Sequence, residues 1–379
     1  MNKSALIATF SFLATCSLAV GQDMKPDMKL LLKRCIAAQS AVDRSSMKVT
    51  TEITLDYPDQ RPKKQRSEIL LQRDSNRFNI TGAHSYLDVG QNNSYSFRTL
   101  ENSDYYTTYQ VRRGSEVAKS GLIAKKERDK FGKQSLEAAI YGGPLDGQVA
   151  GSDSKRIAEM LLDASGTKMR SQESISESTC EVVEGRTRYG TITMWIAPDF
   201  GYTCVKFVVD RTGNDLWNGT AISHQPLWSP SGKADDLRPI TRCLSVLDNV
   251  RVEKIGDHFV PTQGRYTESI YRNRGKTVND VYVYQRTDIL FSPTFATGTF
   301  DSDLPVGSTV DLLDESESGV QYRWDGKNAE VAFDDYSGPK GSFESNFTLF
   351  NLMVAIIVLA ILIGLYVWFH SRKPMSGKE

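Results

Sequence analysis

Met47-Lys-Val-Thr-Thr-Glu-Ile-Thr-Leu-Asp-Tyr57 is the stretch that decides the fold of this chain. Hydrophobic side chains recur at every second residue, and lysine, threonine and glutamate stand between them. A period of two is typical of a strand that is buried on one face only. The stretch therefore predicts an antiparallel sheet with one face turned toward a core.

Strand patterns recur on both sides of this stretch. They cover residues 67–72, 77–81, 94–100, 105–111, 180–183, 188–196, 202–210, 244–254, 259–269 and 278–290. Gly256-Asp257 predicts a hairpin turn between two of these runs, and Ala197-Pro-Asp-Phe-Gly201 predicts another turn. The chain is therefore predicted to be mainly β.

Helical spacing interrupts the strands at three places. An amphipathic helix is predicted at the start of the domain, and the residues on its apolar face are Met28, Leu31, Leu32, Cys35, Ala38 and Val42. Residues 115–139 and 153–164 also predict helices, separated by a loop at 142–147. The fold class is therefore α+β, with the helices placed to cover a sheet.

The C-terminal part predicts a membrane anchor. A small β extension is expected at 296–335, with a hairpin formed by 309–313 and 320–326, and a linker at 336–346. The next 23 residues, Phe347–Phe369, carry no charge, and a helix of that length spans roughly 35 Å, enough to cross a bilayer. Arg372 and Lys373 follow, so the positive-inside tendency puts the tail 370–379 in the cytoplasm.

The N-terminal part predicts export. Residues 1–21 have a lysine near the start, an apolar run and small residues before Gln22, as a cleaved signal peptide does. Lipidation at Cys16 is the alternative. Residues 22–295 are then an exported domain held at the cytoplasmic membrane by one transmembrane helix, in a periplasmic or extracellular location.

Charge composition argues against nucleic acid as a partner, and the cysteines are consistent with either disulfides or free thiols. The chain has 46 basic and 46 acidic side chains, which argues against nucleic acid. Four cysteines remain after the signal peptide, namely Cys35, Cys180, Cys204 and Cys243. In an oxidising compartment they allow two disulfides with three connectivities; buried free thiols are the alternative.

The loop 211–242 is long for a connection between strands, and it carries Trp217 and Trp228. Loops of this length are often lids or contact surfaces. The tryptophans are therefore candidate lid or contact residues, unless they simply pack on the sheet.

Two hairpin segments resemble a known family. Trp195-Ile-Ala-Pro-Asp-Phe-Gly-Tyr-Thr-Cys-Val-Lys206 and Val252-Glu-Lys-Ile-Gly-Asp-His-Phe-Val-Pro261 are similar to hairpins of the LolA/LolB-like superfamily of lipoprotein carriers. The resemblance covers about residues 24–295. It implies a half-barrel of antiparallel strands with a helical lid, wrapped around an apolar cavity that holds acyl chains. A membrane anchor departs from the soluble carriers, because a tethered protein cannot shuttle.

No catalytic pattern appears in the sequence. The four histidines are His84, His224, His258 and His370, and none has the spacing of a helix-borne zinc motif. Gly275-Lys-Thr277 lacks the earlier glycine of a phosphate-binding loop, because position 270 is isoleucine. We therefore expect no catalytic residues, no metal, no cofactor and no enzymatic activity.

Three functions remain in view. The first is a membrane-anchored binding protein that holds an apolar ligand, a lipid or a lipoprotein acyl chain, in a half-barrel cavity. The second is a module of the same fold that binds or senses a protein partner in the envelope. A hydrolase acting on envelope material is the third.

Overall fold

A computed structural model of the chain describes most of the predicted exported domain. The described residues are 26–57, 60–75, 77–87, 94–102, 105–112, 120–125, 141–152, 155–175, 177–217, 219–225, 239–272, 278–312, 322–326 and 329–331. The chain divides into two compact units, Met1–Glu330 and Val331–Glu379. Of the second unit, the structure describes only Val331, the last residue of a strand.

Strands dominate the described residues. Their bounds are β1 Arg44–Asp56, β2 Lys63–Asp74, β3 Arg77–Tyr86, β4 Ser94–Glu101, β5 Tyr105–Arg112, β6 Ser120–Lys125, β7 Lys168–Met169, β8 Glu173–Ile175, β9 Ser178–Thr187, β10 Gly190–Ala197, β11 Thr203–Thr212, β12 Leu216–Trp217, β13 Thr220–Ala221, β14 Ile240–Ile255, β15 His258–Arg272, β16 Val278–Phe291, β17 Thr309–Leu312, β18 Tyr322–Trp324 and β19 Ala329–Val331. Two α-helices are described, α1 Pro26–Ser40 and α2 Ile157–Asp163. Short 3₁₀ turns lie at Ala41–Asp43, Gly143–Asp146, Pro198–Phe200 and Ile222–His224.

One large sheet contains all the strands except β12 and β13, which form a small ribbon. β1 lies in the interior of this sheet, between β2 and β16. From β2 the sheet continues through β3, β4, β5 and β6 to β17 and β18. From β16 it continues through β15, β14, β11 and β10 to β9, on which β7 and β8 pair. Every one of these ladders is antiparallel except that between β6 and β17, so the predicted antiparallel sheet is confirmed.

The sheet has one face turned to the core, as the alternating sequence predicts. On β1, Met47, Val49 and Ile53 are buried, whereas Lys48 and Glu52 are exposed. Successive side chains of a strand point to opposite faces, so these three residues define one inner face. Register shifts mark bulges in the β1–β16 ladder and in the β14–β15 ladder. Bulges of this kind bend a strand and increase the twist of its sheet.

The helix α1 covers part of the inner face. Pro26 is its first residue and Asp27 lies in the first turn, where proline costs no hydrogen bond and a carboxylate faces the positive end of the helix dipole. Met28, Leu31 and Leu32 are at most 7% exposed. Burial of three such side chains contributes about 5–9 kcal/mol. The apolar face predicted from helical spacing is therefore confirmed, with α2 and the sheet as its packing partners.

The helical prediction for the middle of the chain was wrong at its first part. Residues 120–125 form β6, which pairs with Tyr105–Tyr109 of β5. A free sheet edge offers hydrogen bonds that outweigh the weak helical preference of six residues. Residues 126–140 lie outside the described part of the chain. The second predicted helix exists, as α2, but it begins only at Ile157.

At the C-terminal side, β17 and β18 pair as the predicted hairpin, with Val310 opposite Tyr322. β17 also joins β6 in parallel. Among the described residues, no helix is both long enough and apolar enough to cross a membrane. The predicted signal peptide 1–21, linker 336–346, span 347–369 and tail 370–379 all lie outside the described residues.

Candidate ligand-binding site

An open groove lies at the C-terminal end of α1. Its volume is about 440 Å³, within the usual range for small-molecule sites. The residues that line it are Ala37, Ala38, Ser40, Ala41, Gly201, Asp257, His258 and Phe259. The apolar lining therefore consists of alanine methyl groups and the Phe259 ring, and Ser40, Asp257 and His258 contribute the polar side chains.

The groove exists because small residues meet at this point. The last turn of α1 presents alanines toward the start of β15, and Gly201 lies at the turn between β10 and β11. Gly201 has a φ of +62°, and a Cβ there would lie 2.9 Å from Cδ2 of Phe259. A larger residue at Gly201 would be strained and would push against the Phe259 ring. The predicted turn at 197–201 therefore positions one wall of the groove.

A second, smaller space adjoins the groove. It holds about 10 Å³, close to the space that one water molecule requires. Its walls are Ala38, Gln39, Val42, Leu145, Asp146, Thr203, Cys204, Phe259 and Pro261. Ala38 and Phe259 line both spaces. We call the larger space the groove and the smaller one the inner cavity.

The apolar half-barrel cavity that the resemblance implies stays a prediction. Between α1 and the inner face, side chains fill the space as a contiguous core that includes Leu32, Leu145, Phe207 and Tyr266. Of the two spaces beside α1, the groove is the larger and can receive part of an acyl chain, whereas the inner cavity has room for about one water.

Gln39 is the unusual side chain of the inner cavity. It is 6% exposed, and neither its Nε2 nor its Oε1 has a hydrogen-bond partner among the described residues. The amide lies against Gly147, where a Cβ would be 2.0 Å from Nε2. A buried amide without partners is costly, so this group needs an explanation.

A buried ion-pair network fixes the turn at Gly143–Asp146 to the sheet. Arg286 of β16 donates to Asp146 at 2.7 and 2.9 Å and to the carbonyl of Gly142 at 2.8 Å. Arg73 of β2 donates to the same carboxylate at 2.6 Å. Burial alone would raise the pKa of Asp146, but the two guanidinium groups outweigh it and hold that pKa at about 2. The turn that closes the inner cavity is therefore tied to two strands.

A second polar cluster lies on the inner face under the loop after β11. Arg211 donates to Oγ of Ser245 at 2.9 Å and to the carbonyl of Ala150 at 2.7 Å. Tyr266 donates to Glu268 at 3.1 Å. We call these residues, together with Cys243 and Asp280, the polar cluster.

The polar cluster contains two facing carboxyl groups. Glu268 of β15 is the register partner of Asp280 of β16. Burial, with the neighbouring Glu268 as the second cause, raises the pKa of Asp280 to about 7, and burial also raises the pKa of Glu268. Oδ1 of Asp280 has no hydrogen-bond partner among the described residues. The guanidinium of Arg211 opposes the increase in the pKa of Glu268 but does not outweigh burial.

Of the two candidate loop tryptophans, Trp217 and Trp228, only the first lies in the described part of the chain. Trp217 lies in β12, half-buried, and packs against Ile222, Cys243, Ile270 and Val278 at one edge of the polar cluster. Its ring occupies the space over Gly151, where a Cβ would lie 1.8 Å from Cδ1. Trp228 lies outside the described residues.

The four cysteines Cys35, Cys180, Cys204 and Cys243 are all buried free thiols. Burial raises the pKa of Cys35 to about 12 and raises the pKa values of the other three. Thiols held in the protonated form in an apolar environment react slowly. In the described residues, no group of three or more His, Cys, Asp or Glu side chains is placed to hold a metal ion.

Sequence reasoning missed the residues that define these sites. Gln39, Asp146, Arg211, Glu268 and Asp280 carry no motif. One signal was present for the carboxyl pair: Glu268 stands between Tyr266 and Ile270, and Asp280 between Val278 and Tyr282, in the apolar phase of two alternating strands. A carboxylate at such a position points toward the core.

Comparisons with known proteins find similar folds only. No family model matches the chain, and no curated protein sequence matches it. A LolA superfamily protein from Nitrosomonas europaea is 14% identical, with 73% of this chain and 99% of that chain covered and a TM-score of 0.36.

An outer membrane lipoprotein-sorting protein domain from Vibrio parahaemolyticus is 12% identical, with 72% of this chain and 95% of that chain covered and a TM-score of 0.37. LprF from Mycobacterium bovis is 9% identical, with coverages of 71% and 95% and a TM-score of 0.27. The solved structures that are similar to this chain thus include LolA superfamily and lipoprotein-sorting proteins, the group that the sequence resemblance named.

Proposed function

We propose that the chain is a binding protein for an apolar ligand, a lipid or an acyl chain, and that the groove receives this ligand. The observation that carries the proposal is the composition of the groove: three alanines of α1 and the 3₁₀ turn after it stand opposite Phe259 around an open space of about 440 Å³. Apolar surface that remains accessible at a concave site favours an apolar ligand, because its binding removes that surface from water.

The proposal includes a place in the cell. The uncharged run 347–369 and the basic residues after it support a single-pass protein of the cytoplasmic membrane whose binding domain is exported. A ligand site on a tethered domain then takes its ligand from the membrane surface or from a partner close to it. No catalytic group is part of this proposal.

Photo-crosslinking tests the groove directly. The full-length chain, purified in detergent, is incubated with a long-chain hydrocarbon probe that carries a diazirine near its end, irradiated, digested and analysed by mass spectrometry. We expect crosslinks in the peptides that contain Ala37–Ala41 and His258–Phe259. Crosslinks confined to other parts of the chain would refute the groove as the site.

A matched pair of variants separates filling of the groove from a general effect of added bulk. Ala38 lines both the groove and the inner cavity, so Ala38→Phe should abolish most of the crosslinking. Ala83 is an exposed residue of β3 that lines neither space, so Ala83→Phe should leave the yield unchanged. Equal yields from the two variants would contradict the proposal.

A further inference from the structure

The Gln39 side chain lines the inner cavity and ends in a buried carboxamide. Its two polar atoms are buried and unpartnered, although Asp146 and Thr203 in the same walls have partners. The oxygens of Asp146 accept from Arg286 and Arg73, and the hydroxyl of Thr203 donates to the carbonyl of Phe200 at 2.6 Å. Among the described lining residues, the unmet hydrogen-bonding capacity of the inner cavity is therefore concentrated at Gln39.

The size of the inner cavity limits what can satisfy this amide. About 10 Å³ accommodates a single oxygen-sized group. A phosphate, a sugar or a carboxylate is too large for it. The rest of the wall is mainly apolar, formed by Val42, Leu145, Phe259 and Pro261.

The hydrogen-bonding pattern limits the chemistry further. A carboxamide presents donors on Nε2 and an acceptor on Oε1. A hydroxyl group can accept a hydrogen bond from Nε2 and donate one to Oε1 through a single oxygen atom. An ether or ester oxygen can only accept, so it would leave Oε1 of Gln39 unsatisfied.

We infer that the inner cavity binds the hydroxyl group of a neutral long-chain alcohol whose hydrocarbon part lies in the groove. Gln39 is then a specificity-determining residue, because it receives the one polar group of the ligand. Ala38 and Phe259 line both spaces, so a ligand that extends from the groove into the inner cavity passes between these two side chains. The inference rests on the proposed function and names the class of ligand for the same site.

The test compares three diazirine probes of equal chain length on the full-length protein: a primary alcohol, its methyl ether and the corresponding carboxylate. We expect the alcohol to compete for groove crosslinking about fivefold better than the ether, the effect of the one neutral hydrogen bond to Oε1 of Gln39 that an ether cannot donate. The carboxylate should compete no better than the ether.

Gln39→Leu supplies the decisive variant, since it keeps a branched side chain, one bond shorter, and removes both polar atoms. We expect it to crosslink all three probes and to lose the preference for the alcohol. Gln39→Met serves as a second apolar replacement, and circular dichroism establishes that each variant is folded.

The outcomes separate the two claims. If no probe labels the groove of the unaltered protein, the proposed function fails, and the inference fails with it. If all probes label the groove equally, or if the alcohol preference persists in both Gln39 variants, the ligand class is wrong and the apolar site stands.

Discussion

Replacement of Asp280 by asparagine should change the pH dependence of stability in a defined direction. Asp280 faces Glu268 across the β15–β16 ladder, and its Oδ1 has no hydrogen-bond partner among the described residues. Tyr57 and Tyr282 flank it, and the carboxyl groups raise the pKa of both phenols further above the increase caused by burial. Asparagine has the size of the protonated carboxyl group and cannot ionise.

The sign follows from the two states of Asp280. In the unfolded chain this carboxyl group ionises near 3.8, the ordinary pKa of an aspartate, whereas in the folded protein its pKa is raised to about 7. Between these values the folded state binds more protons than the unfolded state, so the stability of the unaltered protein falls as pH rises from about 4 to 7. Above 7 the loss is complete and the contribution becomes constant.

The magnitude follows from the same shift. A change from 3.8 to about 7 is roughly three pKa units, and each unit corresponds to about 1.4 kcal/mol. The difference in free energy of unfolding between Asp280→Asn and the unaltered protein should therefore be small at pH 4 and grow to about 4 kcal/mol in favour of the variant at pH 8. Burial lowers the pKa of His84 in the folded protein below its ordinary value of 6.5. His84 therefore acts in the opposite direction: the protein loses stability at this site as pH falls below 6.5. That effect is common to both proteins and cancels.

Urea unfolding of the full-length chain in detergent, followed by tryptophan fluorescence at pH 4, 5, 6, 7 and 8, measures this difference. Asp288→Asn is the matched control, because Asp288 lies on the same strand, is 63% exposed and pairs with Lys48 at the surface. It should change stability by less than about 1 kcal/mol at every pH. A constant difference between Asp280→Asn and the unaltered protein across this range would refute the assignment of a buried, partly protonated carboxyl pair.

Three further results are expected. Asp146→Asn leaves the guanidinium groups of Arg286 and Arg73 without their counter-charge, so it should lower the free energy of unfolding by about 3–5 kcal/mol, measured by urea unfolding at pH 7; a loss under 1 kcal/mol would contradict the network. Gly151→Ala should destabilise the protein by about 1–3 kcal/mol, because Gly151 has a φ of +74° and its Cβ would overlap the Trp217 ring; unchanged thermal unfolding would refute that contact. A disulfide-exchange reagent at pH 8 should label the four described cysteines far more slowly in the native protein than in urea, since burial raises their pKa values; rapid native labelling would show that they are exposed.

The sequence by itself determined the elements with strong local periodicity. The alternation from Met47 to Tyr57 specified both that this segment is a strand and which of its faces is buried, since side chains of a strand alternate between two environments. The helical spacing from Met28 to Val42 did the same for α1. Gly256-Asp257 placed the turn of the β14–β15 hairpin because a two-residue turn between two strand segments brings them together as an antiparallel pair.

Only the tertiary structure decided what lies at long sequence distance. β6 became a strand because a partner edge was present, although its own residues gave no alternating signal. Asp146 is separated by 73 residues from Arg73 and by 140 from Arg286, and no spacing rule joins residues so far apart. In the sequence, Gln39 is an ordinary polar residue at the end of a helix. Its burial depends on the contact between α1 and the turn at Gly147, which only the fold shows. Local periodicity is governed by backbone geometry, whereas a cavity and its charges are governed by which distant surfaces the fold brings together.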